Sequence, residues 1–277
     1  MTTQEATQVK QEYFTIGEEI IQGMIDSQKS ILMISGKGTG KTTTLNHYVE
    51  QIKGNCTIYA LVSRESELEI EQKLTFAPEK IPVERRNSMT GEERSQVIKE
   101  VLEPIFATYE IYWSRRGMSA KDLAEAVKTP VRLILRNWDE VYEELKVRLA
   151  TSELMEILSM IRQMIAQGSD CNVNLYIEAK KESLNIVGMT QHATSYQALN
   201  LYSQGFMTNL GGDLDTIRLV MRTVTMWLEG SSEKLLSDYS TLCDAIANKK
   251  INSPIIFTNT GGKPRVGIVP NLIKEEV

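Results

Sequence analysis

The chain has 277 residues, of which 42% are hydrophobic and 24% charged, with a formal net charge of −5. This is an ordinary globular composition with enough length for a large core, and its acidity gives no overall pull toward nucleic acid. Three well-separated cysteines without a CxxC pair, and only two histidines, exclude a cysteine cluster or a histidine-rich metal site and suit a reducing compartment.

In chain order, residues 11–27 place Tyr13, Ile16, Ile20, Ile21, Met24 and Ile25 near helical spacing, which predicts a helix leading into the first strand. The run Ile31-Leu32-Met33-Ile34 predicts that strand. Residues 35–42 then read S-G-K-G-T-G-K-T, and residues 43–53 continue as a helix stopped by Gly54-Asn55. A second strand is expected over residues 56–62, which completes a right-handed βαβ unit.

Residues 64–128 are strongly charged and carry Pro78, Pro82 and Pro104. Helical patterns at 92–112 and 120–127, the second preceded by Ser119 with Asp122 three places on, predict a helical insertion between strands two and three. Arg85-Arg86 and Arg115-Arg116 in this region read as solvated arginines, or as contacts to nucleic acid or a neighbouring subunit. Strand character returns at residues 130–140 (PVRLILRNWDE), and a helix is expected over 141–167, ended by Gly168-Ser169-Asp170. Further strands are expected at 173–179 and 205–210, and helices at 195–202 and within 214–247. The chain closes on an expected β-hairpin, with arms at 255–258 and 266–269 around Gly261-Gly262-Lys263-Pro264. All 277 residues read as a single domain.

The S-G-K-G-T-G-K-T segment is a phosphate-binding loop in its proper strand-to-helix setting. Gly36, Gly38 and Gly40 let backbone N–H groups face inward around a β-phosphate, and the following helix adds the positive end of its dipole. Lys41 is the residue to reach the β/γ oxygens, and Thr42 the hydroxyl to sit on Mg²⁺. Ser35, Lys37, Thr39 and Thr43 complete the expected nucleotide-binding set. Ser35 stands where the strict pattern has glycine, and the Lys37 side chain reads as solvated.

A triphosphatase also needs acids at the carboxyl edge of the sheet. Asp139 is the candidate metal ligand and Glu140 the candidate general base, with Glu143 and Glu144 in reserve. The polar triplet Arg136-Asn137-Trp138 separates them from the apolar run, and an acid pair simply opening a helix is the alternative. Glu178, Lys180, Lys181, Thr190 and Gln191 are candidates for sensing the γ-phosphate. Arg162, Arg218 and Arg222 are candidate fingers for a neighbouring subunit, although an exposed helical arginine is the plainer reading of each.

The sequence of phosphate loop, charged insertion, Asp-Glu strand, arginine-containing helix I-R-Q-M-I-A-Q-G, strand V-N-L-Y-I-E-A and terminal G-G-K-P-R-V-G-I-V-P resembles the RecA-like DNA-pumping ATPases of the FtsK–HerA superfamily, including conjugative coupling proteins. That family commonly has glutamine where Lys180 or Lys181 stands here. The resemblance implies an α/β RecA-like P-loop fold, a mainly parallel central sheet flanked by helices, with the helical insertion and the hairpin added. It also implies ATP and Mg²⁺ as cofactors, roles for Lys41, Thr42, Asp139 and Glu140, and a homo-oligomeric ring, hexameric in the family, around DNA.

An ATP-hydrolysing motor of a mobile genetic element is therefore the leading expectation. An AAA-type or switch-like NTPase acting on a protein partner, and a nucleotide or small-molecule kinase, are the alternatives. A GTPase is disfavoured by the lack of an N/T-K-x-D motif. The polar, acidic N-terminus gives no signal peptide, and no apolar stretch reaches the roughly 20 residues of a membrane span. A cytoplasmic location is expected.

Overall fold

The computed structural model describes residues 15–20, 22–23, 30–35, 43, 46, 49–51, 56–62, 73–75, 80–81, 89–180, 206–209, 254–260 and 263–268. Their strands are β1 (Ile31–Ser35), β2 (Thr57–Val62), β3 (Lys73–Thr75), β4 (Val131–Leu135), β5 (Val173–Lys180), β6 (Phe206–Asn209), β7 (Pro254–Thr260) and β8 (Lys263–Ile268). The complete helices among them are α1 (Gly91–Val101), α2 (Glu103–Arg116), α3 (Ala120–Ala126), α4 (Trp138–Arg148) and α5 (Thr151–Gln167), with a 3-10 turn at Gly168–Cys171. Residues 15–20 and 22–23 are also helical, as are 43, 46 and 49–51.

All eight strands join one sheet in the order β3-β2-β4-β5-β1-β6-β7-β8. The pairings from β3 through β6 are parallel, and β7 and β8 add antiparallel strands at one side. Every residue of β4 is buried, as are Val173 to Glu178 of β5, so this part of the sheet is covered on both faces. Near-continuous apolar runs such as VRLIL follow from that double burial; an alternating pattern would mark a half-exposed strand.

Helices α2 and α5 supply much of the cover. Ile105, Thr108, Tyr112 and Arg115 lie along the buried stripe of α2, which packs against β2, β4 and α5. Tyr109 and Tyr112 donate from this helix to Gln163 Oε1 (3.1 Å) and Gln167 Oε1 (3.0 Å) of α5. The helical part of the insertion is thus docked on the sheet.

Three expectations need correction. The insertion was expected to be helical, yet it also contributes β3, a three-residue edge strand pairing with β2 through Ala60↔Lys73 to Val62↔Thr75. A strand that short has no readable alternation. The patterns at 92–112 and 141–167 each split in two. Leu102 leaves helical geometry between α1 and α2, with Pro104 in the first turn of α2; Leu149 and Ala150 are extended between α4 and α5. The strand expected over 130–140 stops at Leu135, and a helix opens at Trp138. The closing hairpin is as expected, with Thr260↔Lys263 as its last pair around residues 261–262. The helices expected within 195–202 and 214–247 lie outside the described residues.

Candidate nucleotide site

Strand β1 ends at Ser35, at the carboxyl edge of the parallel sheet, between β5 and β6. Gly36, Lys37, Gly38, Thr39, Gly40, Lys41 and Thr42 lie outside the described residues; Thr43 is helical and exposed. Strand, loop motif and helix therefore follow one another in the order that a phosphate-binding loop requires.

The candidate acids follow β4, which is separated from β1 by β5. Register explains the polar triplet before them. Leu135 pairs with Ile177, and Ile177 with Leu32, so β4 stops three positions short of the level of Ser35. Arg136-Asn137-Trp138 occupy the interval in which β5 and β1 still extend the sheet edge. The Arg136 N–H donates to Leu61 O (3.0 Å), the last tie to β2. Asn137 then takes a left-handed conformation (φ 50, ψ 43) and turns the chain into α4. Its carbonyl accepts from the N–H groups of Glu140 (2.9 Å) and Val141 (3.2 Å).

Trp138 is fully buried, and its indole Nε1 has no hydrogen-bond partner among the described residues. Asp139 is 7% exposed, whereas Glu140 points to solvent. Both occupy the first turn of α4, where the helix dipole favours negative charge. The acids thus open a helix and do not end a strand. Glu143 and Glu144 are exposed and pair with Lys146 (3.2 Å) and Arg148 (3.2 Å) on the same helix.

Glu178 is the more deeply buried acid, at 2% exposure. On β5 it is level with Met33 of β1, and its Oε2 lies 3.6 Å from Arg136 Nε. The backbone of Lys180 is level with Ser35, while Lys181, Thr190 and Gln191 lie outside the described residues. Arg162 is a half-buried residue of α5 whose Nε is shielded from solvent, and Arg218 and Arg222 lie outside the described residues.

A second polar layer sits at the opposite edge of the sheet. Arg132 Nη1 donates to Val131 O (2.9 Å) and Asn172 Oδ1 (3.1 Å). Burial pulls its pKa down and pushes that of neighbouring Tyr176 up, against the Arg132 charge. Burial likewise raises the Cys56 thiol, with Arg132 opposing. Arg115, read from sequence as solvated or as a contact residue, is 6% exposed and donates to Cys171 O (2.8 Å) and Thr129 O (2.7 Å). It is a tie between α2 and the strand entrances. Arg116 lies over the rings of Tyr112 (5.7 Å) and Trp113 (5.6 Å).

Among the described residues no group of three or more His, Cys, Asp or Glu could hold a metal. A Mg²⁺ site completed by phosphates and water needs only one or two carboxylates, and the shielded Asp139 beside the sheet edge fits that demand. No described helix is long and apolar enough to cross a membrane.

A phosphate-loop motif closing a central parallel strand, with the acid-bearing segment one strand removed, is consistent with an α/β P-loop fold. Among solved structures the chain is similar to ATPases 2 and 3 of Thermomonospora curvata EccC in complex with a signal sequence peptide (11% identity, TM-score 0.41, 69% of this chain and 31% of that one). It is also similar to the cytoplasmic domain of the type VII secretion ATPase EccC of that organism (12%, 0.40, 68% and 20%). A DnaB-like replicative helicase, solved for its interactions with primase, is similar over more of this chain (12%, 0.37, 90% and 56%). The chain spans a third or less of the EccC chains and just over half of the helicase chain. No protein-family model and no curated protein matches it.

Proposed function

We propose that the protein binds ATP with Mg²⁺ at the loop following β1 and hydrolyses it by in-line attack of water on the γ-phosphate. The observation that carries this reading is the S-G-K-G-T-G-K-T sequence beginning at the last residue of a central parallel strand. In this proposal the loop amides and Lys41 hold the phosphates, Thr42 and Asp139 hold the metal, and Glu140 orients the attacking water. Magnesium, when bound, supplies charge neutralisation on the phosphate oxygens.

The order of motifs supports a motor of the FtsK–HerA kind, working as a homo-oligomeric ring on DNA and carried on a mobile element. Burial of Arg115 removes one candidate contact to nucleic acid or a neighbouring subunit; in a second reading the ATPase moves a protein partner. Turnover by the wild type and Lys41→Ala, each with and without duplex DNA, tests both. Turnover abolished by the substitution and raised by DNA supports the motor. Turnover abolished by the substitution but indifferent to DNA supports the protein-remodelling reading. Absence of turnover in the wild type overturns hydrolysis.

A further inference from the structure

We propose that Glu178 is a positioning residue which, through Arg136, sets the turn that presents Asp139 to the metal. The inference rests on the ATPase reading and extends it to a residue outside the loop and the acid pair. Three observations carry it. First, Arg136 begins the turn and is held from both sides, its N–H on Leu61 O of β2 (3.0 Å) and its guanidinium 3.6 Å from Glu178 on β5. The residue therefore spans the two strands flanking β4. Second, the next residue, Asn137, is left-handed, so the chain changes direction immediately after Arg136. Third, the pair is almost wholly buried, at 8% and 2% side-chain exposure.

Burying two charges costs desolvation that a well-packed apolar pair would avoid. Such a pair is weak evidence for added stability, and in this proposal it fixes the geometry of the β4–α4 turn. Asp139 lies three residues beyond Arg136, inside the first helical turn that Asn137 starts. Strand β5 also pairs directly with β1, with Glu178 level with Met33, two positions before Ser35. The same acid thus ties the Asp139 turn to the strand that leads into the phosphate loop.

The test uses Mn²⁺ as a paramagnetic probe on the protein saturated with AMP-PNP, comparing wild type, Glu178→Gln and the double variant Arg136→Met/Glu178→Leu. The double variant removes both charges at similar volume and keeps the test open if the single change fails to fold. Metal-free AMP-PNP affinity is measured on the same samples. The expected result is unchanged metal-free affinity with Mn²⁺ affinity weakened about tenfold or more, the effect typical of residues that orient a metal ligand. Wild-type Mn²⁺ affinity in the folded variants overturns the inference and leaves the ATPase standing. A wild type that binds no AMP-PNP overturns the ATPase reading, and this inference with it.

Discussion

Gly17 and Gly267 meet backbone to backbone: a Cβ added to Gly267 would lie 2.4 Å from the Gly17 nitrogen, and one added to Gly17 would lie 2.0 Å from Ile268 O. The contact fastens the helical residues before β1 onto β8, at the far side of the sheet. Since the obstruction is backbone on both sides, no rotamer change relieves it. Gly267→Ala is expected to lower stability by about 1–3 kcal/mol or more, read from the midpoint of urea unfolding. A midpoint within error of the wild type would show that the approach is not close in solution.

Asn172 performs two tasks. It is left-handed (φ 52) between the turn at Gly168–Cys171 and β5, and its amide joins Val127 O (2.6 Å) and Arg132 (3.1 Å). Asn172→Gly keeps the backbone and loses the bonds; Asn172→Ala loses both. The expected order of stability is wild type, then Gly, then Ala, with a loss of about 2–3 kcal/mol for Ala by the same unfolding measurement. Equal stability of the two variants would assign the whole effect to hydrogen bonding.

The legible parts of the fold were those with strong local signals. β1, β2, β5, β6 and β7 fall within one or two residues of expectation, because apolar runs bounded by Gly, Asn or Pro mark strands; β8 begins at Lys263, earlier than its apolar run predicts. The breaks at Leu102 and at Leu149-Ala150 leave the apolar periodicity uninterrupted, although Pro104 is a usable sign of the first. The helical start at Trp138 depends on Asn137 becoming left-handed and on register with β5, neither of which shows in local sequence. Glu178 reads from sequence as a sensor candidate, but its partnership with Arg136 spans 42 positions and is made only by strand pairing.

At the start of α1, Thr90 and Glu93 cap one another: the Glu93 N–H donates to Thr90 Oγ1 (3.2 Å) and the Thr90 N–H to Glu93 Oε2 (2.9 Å). The Thr90 backbone bond, followed by the Thr90 side-chain bond, holds the Glu93 pKa below its ordinary 4.5. A carboxyl lowered on folding contributes stability that is present above its unfolded pKa and is lost as pH falls through the folded value. Glu93→Gln should therefore flatten stability against pH below about 4.5 while leaving its shape at neutral pH unchanged. An identical acid limb in the two proteins would contradict the cap.

Arg94 and Glu153 join α1 to the start of α5 through two parallel bonds of 2.7 and 2.5 Å, and Glu153 also accepts from Ala150 N–H (2.6 Å). Both side chains are partly shielded, so the pair should exceed an open surface bridge. A double-mutant cycle with Arg94→Met and Glu153→Gln is expected to give a coupling of about 1 kcal/mol at low salt, reduced in 1 M NaCl. A coupling near zero would make the contact incidental.

Burial separates the two candidate acids. On the proposed assignment, Asp139→Asn should weaken nucleotide-dependent Mn²⁺ binding, and Glu140→Gln should slow turnover about 100-fold while leaving ATP and metal binding intact. Full turnover in Glu140→Gln would remove it from the chemistry and leave Asp139 as the metal ligand alone.

The most direct measurement is calorimetric titration of ATP with Mg²⁺ into the wild type and into Lys41→Ala. The account predicts a saturable heat at about one nucleotide per chain in the wild type and its loss, or a large weakening, in the variant, with both proteins equally folded. No heat in the wild type with either ATP or GTP would contradict it.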